Sequence, residues 1–273
     1  METEMPASVE IINTGNELLD GRVSNTNGQR MARICSARGL TVRRITVVGD
    51  ALEDISAALK EALARGPDLV LLTGGLGPTP DDMTAEAIAL ALGRKFVLNE
   101  EALGMVKRAY ERKGLELTTA VVKMAKLPEG AVPLENPIGT APGILVEEGR
   151  TKIVALPGVP EEMEAMFERH VEPILAELAR GLARYEARFL AFGVREADLA
   201  GALKELRRAY PDVYVKTHPK ADEGRRYLEI YVATVSPSAS EARKRMEKVI
   251  MELSEHISAL GGSMTPLKPE EGA

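Results

Sequence analysis

Apolar residues recur along this chain with two alternating periods. Residues 9–13 (Val-Glu-Ile-Ile-Asn) form a short β-rich run that stops at Thr14-Gly15. From Asn27 to Arg38 the spacing turns helical, with Met31, Ile34 and Cys35 on one face, and Gly39 ends the pattern. Leu40 to Val48 is rich in Val, Ile and Thr. A second helical pattern over 52–65 carries Ile55, Leu59, Ala62 and Leu63 and closes at Gly66-Pro67. Residues 68–73 contain Leu69-Val70-Leu71-Leu72, the composition of a strand buried on both faces, and 84–92 reads as a third helix. The β-α-β-α-β-α alternation, with a helix in each crossover, predicts a parallel sheet and an α/β fold.

The order loosens after Gly93. The pattern predicts a helix over 99–112, then short strands within 131–156 around an Asn136-Pro137 turn and a hairpin at Glu148-Gly149. Pro157-Gly158-Val159-Pro160 opens a long helix, with Pro160 at its first position, Glu161 and Glu162 in its first turn, and a kink or break at Pro173. The pattern resets around 179–186, which divides the chain into residues 1–180 and a smaller α+β unit over 181–260. That unit reads as a strand over 188–194, a helix over 196–209, strands over 213–218 and 226–235, and a closing helix over 237–256. The Gly, Pro and Glu content of 261–273 suggests a flexible tail.

Composition narrows the chemistry. One cysteine, Cys35, excludes an internal disulfide framework and any CxxC site, and His170, His218 and His256 form no metal-binding pair. A net charge of −6 and ten aromatic residues, none of them Trp, argue against a nucleic-acid partner. No apolar run approaches membrane-spanning length, and residues 1–8 lack the pattern of a signal peptide. The expected setting is cytoplasmic, without a membrane partner.

Four loops could carry chemistry. The first, Thr73-Gly74-Gly75-Leu76-Gly77-Pro78-Thr79-Pro80-Asp81-Asp82-Met83-Thr84, joins a buried strand to a helix. Its glycines let backbone N–H groups approach an anion, and its two carboxylates suit a divalent cation that bridges to phosphate. It matches neither the P-loop nor the Rossmann pattern. The second, Thr14-Gly15-Asn16-Glu17-Leu18-Leu19-Asp20-Gly21, also follows a strand, so Glu17 could face Asp81 and Asp82 across one crevice. The third, Asn136-Pro137-Ile138-Gly139-Thr140-Ala141-Pro142-Gly143, offers Asn136 and Thr140 as hydrogen-bonding groups and Gly139 and Gly143 for close approach. The fourth, Pro157 to Glu162, is explained by the needs of a strand-to-helix turn alone. Lys123 is the best-placed lone cation for a phosphate, and Asp50 ends a strand within reach of a ribose.

Together with Val48-Gly49-Asp50 and Leu156-Pro157-Gly158-Val159-Pro160-Glu161-Glu162-Met163, these blocks resemble the CinA family in order across about residues 8–170. The N-terminal domain of that family is similar to the molybdopterin-binding domains of MogA and MoeA. The resemblance implies a three-layer α/β/α domain followed by a KH-type module over 187–258, here without the GxxG loop that clamps RNA. It also implies divalent-metal-dependent cleavage of ADP-ribose, or a related dinucleotide, to AMP and ribose 5-phosphate. Members often add a deamidase domain, which is not expected within these 273 residues and would act as a separate subunit.

On this reading Gly74, Gly75 and Gly77, with Pro78 and Thr79, hold the diphosphate. Asp81 and Asp82 bind the metal (magnesium first, then manganese, cobalt or nickel). Glu17 assists as ligand or base, Lys123 offsets phosphate charge, and Thr14, Gly15, Asn16, Asn27, Asp50, Asn136, Gly139, Thr140 and Gly143 complete the ligand contacts. The expected assembly is a homo-oligomer. Family members carry Asn-Arg-Lys-Gln-Ala before Leu-Pro-Glu-Gly, whereas this chain has Val121-Val122-Lys123-Met124-Ala125, so only the lysine and the alanine carry over. The alternative reading is a protein that binds a pterin or a nucleotide without cleaving it.

Overall fold

The computed structural model describes residues 6–222 and 225–267. The chain divides after Arg180 into two compact units. The first contains β1 (Ser8–Thr14), α1 (Asn16–Leu19), α2 (Thr26–Ala37), β2 (Thr41–Val48), α3 (Leu52–Ala64), β3 (Leu69–Thr73), α4 (Thr84–Leu92), β4 (Phe96–Leu98) and α5 (Glu100–Arg112). It continues with β5 (Lys126–Pro128), β6 (Val132–Leu134), β7 (Gly143–Glu148), β8 (Thr151–Leu156), α6 (Pro160–Met166) and α7 (Glu172–Ala179).

Six strands make one sheet in the order β2-β1-β3-β8-β7-β6, with β2, β1, β3 and β8 parallel. Successive strand residues point to opposite faces, which builds a three-layer sandwich. Ile12, Val70, Leu72, Ile153 and Ala155 pack under α3, α4 and α5 through Ile55, Leu59, Ile88 and Val106. Val9, Ile11, Leu69, Leu71, Val154 and Leu156 pack under α2, α6 and α7 through Met31, Cys35, Met163, Phe167 and Leu175. The α/β expectation holds, with a three-layer sheet domain and a second, antiparallel unit.

Several local elements differ from the sequence pattern. Phe96–Leu98 and Lys126–Pro128 form a separate two-stranded sheet, too short to show a period, and a 3₁₀ turn over Val121–Ala125 precedes β5. The helix opened by Pro160 is divided just ahead of Pro173 into α6 and α7, in line with the kink or break expected there. A π-helical turn over Phe167–Val171 absorbs the change, and Pro173 lies in the first turn of α7, where its missing N–H is harmless.

In the second unit, β9 (Ala183–Phe192), α8 (Glu196–Ala209), β10 (Val213–Asp222), β11 (Arg225–Ser236), α9 (Ala239–Ala259) and β12 (Ser263–Pro266) give an antiparallel sheet of order β10-β11-β9-β12. The strand expected over 188–194 begins earlier, at Ala183, inside the stretch that reads as a boundary. The tail expectation fails for residues 263–266, where Met264 tucks against the core and the backbone pairs with β9 (Ser263 opposite Phe192). The rest of that expectation, residues 268–273, lies outside the described residues, as do residues 1–5 of the N-terminal stretch. Among the described residues no helix is long and apolar enough to cross a membrane.

Candidate functional site

Within the first sheet β1 lies between β2 and β3, so the chain leaving the carboxyl end of β1 turns toward β2 while the chain leaving that of β3 turns toward β8, β7 and β6 on the opposite side. Open α/β sheets take their ligands in the crevice that such a reversal creates. The loops after β1 and β3 are therefore neighbours, and the loop after β8 is next in line.

Side chains lock these loops together. Thr73 Oγ1 donates to Pro157 O at 2.8 Å, and Asn27 Nδ2 donates to Thr73 Oγ1 at 3.2 Å and to Gly158 O at 2.9 Å. Thr84 Oγ1 donates to Gly74 O at 2.8 Å and lies 3.4 Å from Thr14 Oγ1. Gly74 has φ +104°, and a Cβ there would sit 2.5 Å from Thr14 O, so the approach of the two loops requires glycine. The turn after β8, which the sequence explains without a ligand, is thus part of the crevice. In sequence it is legible only as a turn because its partners, Asn27 and Thr73, are far away along the chain.

The glycine loop is arranged to receive an anion. The N–H of Gly74 donates to Leu156 O and that of Thr84 to Gly75 O. Among the described residues the N–H groups of Gly75, Leu76 and Gly77 hold no protein acceptor. Gly77 gives room to Asp82: a Cβ at residue 77 would lie 2.6 Å from Asp82 Oδ2. That oxygen accepts from Thr79 N–H at 2.8 Å and from Thr79 Oγ1 at 2.6 Å, which fixes the turn. Lys123, expected on a phosphate, donates from Nζ to Thr79 O at 2.6 Å and to Pro80 O at 3.3 Å. It therefore braces the aspartate turn and keeps one ammonium proton for another acceptor. Gly75, Gly77, Asp82, Lys123 and Pro142 share the wall of a cleft of about 10 Å³, room for one water.

Other candidates lie apart from this cleft or are occupied. Glu17 folds over Gly15, with Oε1 2.5 Å from where a Cβ at residue 15 would stand, and does not join Asp81 and Asp82. Among the described residues no three of His, Cys, Asp and Glu are grouped to hold a metal. A four-residue helix, Asn16–Leu19, carries Glu17. Asp50 Oδ2 accepts from Asn16 N–H at 2.9 Å, so these two residues hold the first loop to the end of β2.

Asn136 is buried with its amide fully engaged. Its Nδ2 donates to Ala141 O and Glu162 Oε2, and its Oδ1 accepts from the N–H groups of Ile138 and Gly139. It shapes the third loop rather than presenting a group to a ligand. Gly139 and Gly143 are close-packed, against Glu162 and Met166 respectively. Thr140 shares a second small cleft with Pro142, Arg108 and Arg112 of α5. Sequence reasoning misses the two arginines, since on an amphipathic helix they look like solvated charges. It misses Asn13 as well. The buried Nδ2 of that residue, at the carboxyl end of β1, has no partner among the described residues, and such a group invites a water or a ligand.

Known proteins share the unit that carries this crevice. The model of the family described as probable molybdopterin binding domain matches residues 10–177. A protein of Pyrobaculum calidifontis is 49% identical over 252 residues, covering 91% of this chain and 95% of its own length. One from Aeropyrum pernix is 44% identical over 256 residues, with coverages of 93% and 95%. Among solved structures, the protein CinA with unknown function from Thermoplasma acidophilum is 43% identical with a TM-score of 0.58. The match covers 61% of this chain and 98% of that one.

Proposed function

This chain belongs to the family of probable molybdopterin binding domains, and from that premise we propose that its first unit is a hydrolase that cleaves the diphosphate of ADP-ribose or a related dinucleotide. The observation that carries the reading is the gathering, in and beside the loop after β3, of three unpaired backbone N–H groups, Asp82 and Lys123. The substrate class is what the CinA-type loop motifs imply, and CinA from Thermoplasma acidophilum shares the unit that carries those loops.

The reaction adds water across the P–O–P bridge. A water oxygen bonds to one phosphorus, the bridging P–O bond breaks, and the bridging oxygen departs on the other phosphate, leaving AMP and ribose 5-phosphate. The N–H groups of Gly75, Leu76 and Gly77 hold non-bridging oxygens and stabilise charge that grows as the bridge breaks. Lys123 keeps the Thr79–Asp82 turn in place and directs its remaining proton to a phosphate oxygen. Arg108 and Arg112 beside Thr140 bind the far end of the dinucleotide.

The hard oxygens of Asp81 and Asp82 fit magnesium, which is commonly held by one or two carboxylates with substrate phosphates rather than by an all-protein cage. Because Thr79 occupies Asp82 Oδ2, Oδ1 would be the ligating atom. A divalent ion there supplies charge neutralisation and polarises the phosphoryl group. Asp82→Asn keeps both bonds to Thr79 sterically possible, so it should fold as the parent does and lose turnover by about a hundredfold or more, an order of magnitude typical of a lost electrostatic stabiliser. Full turnover in that variant would remove Asp82 from the chemistry.

A second reading has the same crevice bind a pterin or nucleotide without cleaving it. The family description and the lack of a three-carboxylate cluster among the described residues favour it. Ligand recovered intact after long incubation with metal would decide for it.

A further inference from the structure

The whole-chain charge conceals an uneven distribution. Residues 181–273 hold 15 Lys and Arg against 14 Asp and Glu, a net +1, so all of the −6 and more lies in the first unit. They also hold seven of the ten aromatic residues. The composition argument against nucleic acid therefore applies to the first unit and not to the second.

In the second unit α8 and α9 cover one face of the sheet, over Val215, Ile230, Val232 and Ala191. The other face places its side chains by register: Tyr214 opposite Ala233, Lys216 opposite Tyr231, Lys220 opposite Tyr227, and on the far side Tyr231 opposite Arg188 and Tyr227 opposite Phe192. Two aromatic pairs result. Phe192 and Tyr227 have ring centroids 5.7 Å apart, and Tyr214 meets Tyr231 edge-on at 6.2 Å. Tyr227 and Tyr231 are four residues apart on β11, which separates the pairs by ~13 Å. Tyr214 is 52% exposed and Phe192 37%, high values for rings with no role in the core.

The cations on this face are placed as a polyanion would need them. Arg184 and Arg188 each stand 5.8 Å from the Tyr231 ring centroid, and each also faces a carboxylate at 3.8 Å, Glu186 and Glu229 respectively. Those two arginines orient the aromatic ring, whereas Lys216 and Lys220 form no ion pair among the described residues and are left for phosphates. Past the β10 edge, Lys216 joins Lys204 and Arg207 of α8 in a groove of about 310 Å³, whose one carboxylate, Glu196, accepts from Thr217 Oγ1. Pro219 interrupts the free edge of β10, which disfavours strand addition there and leaves the face itself as the docking surface.

We propose that the open face of the second unit binds single-stranded nucleic acid, with bases stacked on the two aromatic pairs and phosphates along Lys216, Lys220 and the α8 groove. Sheet faces with exposed aromatic side chains and flanking cations bind single strands in this way, tolerant of sequence and sensitive to salt. None of these residues belongs to the diphosphate crevice.

The test is fluorescence anisotropy of a labelled oligothymidylate of about twelve nucleotides, a length spanning one such domain, titrated with the full chain at several salt concentrations. Binding should weaken as salt rises and should exceed binding to the matching duplex. Tyr214→Ala should weaken it about tenfold or more, and Lys216→Ala should lower the salt slope by about one. Both substitute exposed side chains, and both should leave ADP-ribose turnover unchanged. Absence of binding at low salt, or equal binding by both variants and the parent, overturns the proposal. So does a loss of binding in Tyr214→Ala accompanied by a change in oligomeric state on sedimentation, which would make the face a contact between copies of this chain.

Discussion

The hydrogen on Cα of Gly74 is what allows two loops to touch. A methyl group there would meet Thr14 O and Oγ1 at 2.5 Å, and the backbone at φ +104° is one that other residues resist. Gly74→Ala should therefore lower stability by about 1–3 kcal/mol and open the crevice, which thermal unfolding together with ligand titration would register. A variant as stable as the parent would show that the loops do not meet as described. Glu10 tests a different principle. Its side chain is 1% exposed on β1, and Arg65 at the end of α3 donates to both of its oxygens, at 2.7 and 2.6 Å. Arg65→Met should cost about 3 kcal/mol in urea unfolding because it leaves a buried carboxylate unpaired, and adding Glu10→Leu should restore part of that loss.

At this scale the glycines are legible in sequence because spacing exposes them. The roles of Asn136 and Lys123 are not. Sequence assigns each to a ligand; Asn136 bonds only to loop and neighbouring atoms, and Lys123 also braces the Thr79–Pro80 turn, contacts whose approach depends on the tertiary fold.

Among the elements, α2 connects sequence pattern to site most directly. Met31 and Cys35 on its apolar face fix it to the sheet, Asn25 caps it by accepting from Gly28 N–H at 2.9 Å, and Asn27 in its first turn then reaches Thr73 and Gly158. Burial pushes the Cys35 thiol up to about 12. The native state thus holds its proton over a range where the unfolded chain, titrating near 9, releases it. Unfolding is then favoured as pH rises, so this residue's contribution to stability is complete below about pH 9 and is lost by about pH 12. The parent should lose more stability over that interval than Cys35→Ala does, and iodoacetamide at mildly alkaline pH should label Cys35 only as fast as the protein opens. Rapid labelling of the folded protein would contradict the packing of α2.

Helices and parallel strands of the first unit are legible because their apolar periods run for several residues. Three-residue strands such as β4 and β5 carry no period, and β12 is held by pairing with β9 and by Met264 rather than by any local signal. The alternation of elements places the loops after β1 and β3 at one edge of a parallel sheet, whereas the strand order that makes them neighbours has no local signal in the sequence.

Over the whole molecule, two units of different charge and aromatic content invite two chemistries. The first is acidic, yet the loop after β3 offers N–H groups and a lysine, and a separate small cleft beside it carries two arginines, the local charge that the proposed diphosphate would need. The second presents a cationic aromatic face. Hydrolysis by the first unit is tested by mass-spectrometric analysis of products from ADP-ribose incubated with the purified chain, with and without magnesium. The expected result is AMP and ribose 5-phosphate in equal amounts, only with metal and not with Asp82→Asn. Intact ADP-ribose with magnesium, manganese, cobalt and nickel alike would contradict the claim and leave the crevice a binding site.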